Sequence, residues 1–149
     1  MTDTTFAQQK VQLEQELTRF VDSSWRQFRT NSVINTAIIV LALLCSFGVT
    51  LFGIGENGVF AALLGALIAL LIALGQAFDF GGKADFYRVV HAESDNLLTR
   101  LHILTDDARE LQQILQQFVV LRKYAAEKLP RGKGMEAISS MTKEMTITY

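Results

Sequence analysis

Two apolar blocks organise the chain. Residues 33–52 and 59–78 contain no Asp, Glu, Lys or Arg, and the short stretch 53–58, GIGENG, joins them. Wound as α-helix, twenty residues extend about 30 Å, the thickness of a bilayer's hydrocarbon core. The pattern predicts an all-α membrane protein, a two-span transmembrane helical hairpin with long cytoplasmic helices on either side. A soluble bundle with two buried helices is the weaker alternative, because adjacent charge-free runs of this length seldom serve as soluble cores.

The flanking segments have a different rhythm. Within residues 1–32, Phe6, Leu13, Leu17, Phe20, Val21 and Phe28 recur at helical spacing, and Thr4 or Thr5 can cap the start. Trp25 and Phe28 stand beside Arg26 and Arg29, a mixture suited to the headgroup zone. No Pro or Gly lies between Phe6 and Phe47, so this helix is expected to run into the first span.

Residues 79–129 form the expected long cytoplasmic helix. Val90, Leu97, Leu104, Leu111, Phe118 and Ala125 repeat every seven positions, with Leu101, Ala108, Leu115 and Leu129 between them. This is a heptad pattern, and its assembly seam is Val90, Leu97, Leu101, Leu104, Leu111, Leu115 and Phe118. One helix over 84–129 would reach roughly 70 Å. Ile114, Val119 and Leu121 widen its apolar face, which calls for more than one partner helix. The N-terminal helix and neighbouring copies in a homo-oligomer are the expected partners. Pro130 and Gly132 stop the helix; the tail 130–149 carries Met135, Ile138, Met141 and Met145 as a stripe and is either a short docked helix or a mobile end.

Gly81 and Gly82 follow the second block. Paired glycines weaken a helix by about 1 kcal/mol each relative to alanine, so a bend is expected there, with Asp79 capping the restarted helix. The bend is either a fixed kink or a hinge.

Ala61, Gly65, Ala69, Ala73 and Ala77 lie four apart in the second block and suggest a small-residue stripe. In a bilayer such residues let backbones approach closely. In the first block Asn35, Ser46 and Thr50 share one side, and Asn35 and Ser46 need partners inside hydrocarbon. These faces either pack helix on helix or border a narrow, weakly polar water path for ions.

Charge refines this picture. The chain has 14 basic and 15 acidic residues in 149, and all the basic ones lie outside the 53–58 connection. The positive-inside pattern places both termini in the cytoplasm and the connection outside, in the cell's inner (plasma) membrane. Thirty-two largely polar residues precede the first block, unlike a signal peptide. The balanced charge speaks against a nucleic-acid partner. Cys45 is the single cysteine and reads as a small packing residue.

No catalytic, cofactor-binding or metal residues are identified. His91 with Asp95 and His102 with Asp106 are i, i+4 pairs that read as a solvated helix face. The DFG string at 79–81 and the glycines at 53, 55 and 58 lack the settings of a kinase or dinucleotide site.

A polar helix ending near Trp25-Arg26, two tightly linked spans, and an exit through FDFGGKADFYRVVHAESDNLLTRL resemble the SLATT-type two-transmembrane proteins, small prokaryotic membrane proteins with long cytoplasmic helices. The likeness covers roughly residues 10–125 and rests on this architecture and on the patterning around the exit helix. It implies a pore-forming membrane effector that answers a cytoplasmic signal, with the lipid bilayer, a cytoplasmic partner protein and further copies of itself as partners. It carries over no catalytic residue. A membrane-anchored coiled-coil scaffold without conductance is the alternative.

Overall fold

The computed structural model describes residues 3–54, 58–105 and 107–130. All regular structure among them is α-helix: α1 Asp3–Ile54, α2 Gly58–Phe78, α3 Phe80–Ile103 and α4 Ala108–Glu127. Residues 55–57 of the connection, Asp106 and the methionine stripe of the tail lie outside the described residues. The helices contribute to two compact units. One is built from α1 up to Arg29 together with Ala84–Leu129, the other from Thr30–Lys83. The polar start and apolar end of α1 belong to one unbroken helix, consistent with the absence of Pro and Gly before Phe47.

The first unit packs α3 and α4 against the N-terminal part of α1. Leu13 and Leu17 of α1, Leu97 and Leu101 of α3, Leu104 after it, and Leu111, Ile114 and Phe118 of α4 form its core. Phe20 meets Phe118 edge to face at 5.5 Å, a geometry aromatic quadrupoles favour. Ser94 is fully buried and donates its hydroxyl to the His91 carbonyl at 2.9 Å. Polar side chains tie the rim: Arg122 to Glu16 at 3.4 Å, His102 to Glu14 at 3.0 Å and Arg100 to Gln117 at 2.9 Å. These pairs are half exposed and contribute little each.

The long helix expected over 79–129 is corrected here: it is two helices with a reversal after Ile103. Asp107 caps α4, its Oδ1 accepting from the Arg109 amide at 2.9 Å and the Glu110 amide at 3.3 Å. Lys10 donates to the Leu104 carbonyl at 2.7 Å, satisfying an acceptor at the end of α3. Arg100, late in α3, contacts Glu110 and Gln117 of α4, while Phe86, early in α3, stacks on Tyr124 near the end of α4 at 5.7 Å, so the two helices run antiparallel. The heptad seam is corrected with it. Val90, Leu97, Leu101, Leu104, Leu111 and Phe118 are buried, but within one chain's helices. Leu115 is 47% exposed and Ile114 takes the core place. In α3 the companion of the seven-residue series lies four positions on, Leu97 with Leu101, whereas in α4 it lies three on, so α4 packs through Leu111, Ile114, Phe118 and Leu121.

The second unit is a two-helix apolar hairpin. Ring contact between Phe52 and Phe60 at 5.9 Å marks the end near the connection, and Cys45 and Leu71 are buried midway. A Cβ on Gly75 would stand 3.9 Å from Ile38 Cγ2, and one on Gly48 would stand 2.9 Å from Leu64 Cδ1. The helices therefore run antiparallel, and at Gly48 the Leu64 side chain occupies the space a Cβ would need.

The expected bend lies at Asp79, ahead of the glycines. Asp79 has φ 46°, a left-handed conformation that Asp tolerates better than most residues. Its Oδ1 accepts from the Gly82 amide at 3.1 Å and its carbonyl from the Lys83 amide at 3.0 Å, so it caps α3. Gly81 and Gly82 are themselves helical. They are not equivalent. A Cβ on Gly82 would overlap the Asp79 carboxylate, coming within 2.8 Å of its Cγ, whereas a Cβ on Gly81 would meet only Asn35 at 3.5 Å. Gly81→Ala should be neutral or stabilising by up to about 1 kcal/mol, while Gly82→Ala should displace the cap and so fall about 1 kcal/mol below Gly81→Ala. Thermal unfolding of the two variants, followed by circular dichroism, checks the order; equal midpoints would contradict the cap.

Candidate functional site

The apolar hairpin is the candidate site, and its surface is the feature that needs a purpose. Two helical stretches, Phe6–Gly53 and Gly58–Ile103, are long and apolar enough to cross a membrane, and only 6% of the most apolar window of each is buried. Leu43, Leu44, Phe47, Val59 and Leu63 are among the large apolar side chains left exposed. Core helices of a soluble protein would cover such residues.

The hairpin seam uses fewer of the small residues than the i+4 spacing implied. An i+4 step turns 400° around a helix, so each step drifts by about 40° and Ala61 to Ala77 wraps through about 160°. Accordingly Ala61, Gly65 and Ala77 are half covered and Ala69 and Ala73 are exposed. The α2 residues that turn inward follow alternating steps of three and four: Ala61, Leu64, Ile68, Leu71 and Gly75. No atom lies within 4 Å of a Cβ built on Gly65, so that position is open in the single chain.

On α1, Asn35 is half buried, and Ser46 and Thr50 are exposed beside the seam. Thr50 donates its hydroxyl to the Ser46 carbonyl at 3.2 Å, which satisfies it within its own helix. At 100° per residue, Ser46 and Thr50 of α1 and Gly65 and Gln76 of α2 fall on the same flank of the antiparallel pair. An open cleft of about 420 Å³ lies on that flank, with Asn35, Gln76, Asp79 and Gly81 toward one end and Ile39, Leu43 and Ile72 along its wall.

Gly48, Gly75 and Gln76 were not among the residues singled out by spacing. Both glycines face the seam, Gly48 tightly against Leu64 and Gly75 at ordinary contact distance from Ile38, and the three-and-four alternation of their neighbours is the sequence signal for them. Gln76 is the one polar side chain of α2. Cys45 is buried in the seam, in keeping with a packing role.

In the first unit the histidines separate. His102 contacts Glu14, while His91 lies 5.1 Å from the Trp25 ring, with its Nδ1 buried and without a hydrogen-bond partner. No group of three metal-ligating side chains occurs among the described residues. The outer side of α4 exposes Leu115, Val119 and Val120. No protein-family model, curated protein or solved structure matches this chain.

Proposed function

We propose that the chain is an oligomeric two-span membrane protein that forms or regulates a pore, acting as a membrane effector under a cytoplasmic signal. The observation that carries this reading is the exposed apolar surface of the hairpin, of which so little is buried within the chain. Lipid is the solvent such a surface requires. The placement of every Lys and Arg outside residues 53–58 orients both termini to the cytoplasm of the inner (plasma) membrane. The resemblance to the SLATT-type proteins supplies the pore-forming role. Gly65, Ala69 and Ala73, together with Ser46 and Thr50, are the positions the hairpin leaves for neighbouring copies or for water and ions. Two small-residue surfaces from adjacent copies would pack closely, and the hydroxyls beside them would border a narrow path. The first unit would assemble copies and receive the signal.

A second reading is favoured by Leu115, Val119 and Val120 on the outer side of α4. These suit a scaffold that recruits a cytoplasmic partner, with the hairpin as a plain anchor. Exchanging residues 33–78 for an unrelated two-span hairpin separates the two. The pore reading predicts loss of membrane depolarisation in cells expressing the chimera. Full depolarisation by the chimera would rule out a role for the native hairpin in conduction.

A further inference from the structure

The cleft on the hairpin flank has a polar end and an apolar wall. Asn35, Gln76 and Asp79 lie toward the end where α2 finishes, and Ile39, Leu43 and Ile72 extend the lining toward the middle of the helices. From Asn35 to Leu43 the wall is about 12 Å long at 1.5 Å per residue. Its volume, about 420 Å³, lies in the range of small-molecule sites, about 300–1,000 Å³. The charge in the lining is the Asp79 carboxylate, and Lys83, half covered, follows it one helical turn later in the same unit, outside the lining.

We infer that this cleft binds a phospholipid whose headgroup bears a primary ammonium, as ethanolamine phospholipids do. The ammonium hydrogens bond the Asp79 carboxylate and the carboxamide oxygens of Asn35 and Gln76. The phosphate lies toward Lys83, and one acyl chain follows the wall formed by Ile39, Leu43 and Ile72. The separation of polar and apolar lining along the helix axis matches a lipid's own. An apolar helix of a second copy in this place would desolvate the Asn35 and Gln76 carboxamides and the second Asp79 oxygen without bonding them. A choline headgroup lacks N–H donors, and a glycerol headgroup lacks the positive charge that Asp79 attracts. The inference rests on the membrane placement proposed above and not on conduction.

The test is lipid retention by the full chain, read by native mass spectrometry. The protein is purified from an equimolar mixture of phosphatidylethanolamine, phosphatidylcholine and phosphatidylglycerol with identical chains. Wild type should retain the ethanolamine lipid roughly tenfold over either other lipid, the scale of one charge-assisted hydrogen bond. Asp79→Asn keeps an acceptor for the Gly82 amide and a residue that tolerates left-handed φ, so helix content should hold while the preference disappears. Ile72→Trp, which narrows the wall, should lower retention of all three lipids. Equal retention by wild type, or a preference that survives Asp79→Asn, would overturn the inference. So would a disulfide between copies at Leu43→Cys in a Cys45→Ser background, which would put a neighbouring helix in the cleft. Carbonate extraction is measured alongside: release of the chain from membranes would refute the membrane placement itself, and this inference with it.

Discussion

Leu101→Ala should destabilise the α1–α3–α4 unit by about 2–5 kcal/mol, whereas Leu115→Ala should stay within about 0.5 kcal/mol of wild type. Leu101 is fully buried among Leu13, Leu17, Ile114 and the other core residues, so truncation removes apolar contacts and leaves a cavity that packed helices close only in part. Leu115 sits on the outer side of α4 with nearly half its surface free. In one continuous heptad helix both would belong to the seam, and both substitutions would be costly. Denaturant unfolding of the purified chain, with amide exchange followed across residues 84–129, distinguishes these outcomes. Comparable losses at the two positions would contradict the α3–α4 reversal. A change in oligomer size with Leu115→Ala, without a change in core protection, would identify the outer side of α4 as a contact between copies.

Gly48→Ile should force the apolar hairpin apart, at a cost of about 1–3 kcal/mol, because its added branches project into the space held by Leu64. Gly48→Ala should be much milder. Its single Cβ meets only the terminal methyl of a leucine side chain, which can rotate away, and alanine favours helix by about 1 kcal/mol over glycine. Gly65→Ile provides the contrast, since nothing in the single chain lies near that position. It should leave the hairpin intact and reduce association between copies. Cross-linking between cysteines placed at positions 38 and 75 reports the hairpin, and mass measurement in detergent reports the oligomer. A hairpin disrupted by Gly65→Ile and untouched by Gly48→Ile would reverse the assignment of the two faces.

The helices themselves were readable because their cause is local. Two charge-free runs of bilayer length, and a first segment without Gly or Pro, leave few alternatives to α1 and α2. The α3–α4 reversal was hidden because Leu104 and Leu111 happen to stand seven apart across a turn, so a heptad count passes over it. The local signal was Asp107 followed three residues later by Glu110, the spacing of a helix start. The bend was expected near Gly81-Gly82, yet it falls at Asp79, whose side chain both caps α3 and requires Gly82 to lack a Cβ. The small-residue stripe is legible as composition, and within one chain it is not the hairpin seam. A strict four-residue spacing drifts around the helix, while the hairpin seam alternates three and four and is tight at Gly48. The cleft depends on Asn35, Gln76 and Asp79 converging from two helices, which spacing within one helix cannot reveal.

The most direct measurement is current through planar bilayers containing the purified oligomer of defined size, with Ala69→Leu recorded beside wild type. Ala69 is exposed on α2, away from the hairpin seam, so leucine there should spare the fold and alter the contact between copies or the path beside it. Discrete wild-type currents whose amplitude or open time changes several-fold in Ala69→Leu are the predicted result. A folded, membrane-inserted oligomer that stays silent in the presence of its cytoplasmic partner, or currents identical in the two proteins, would contradict the account.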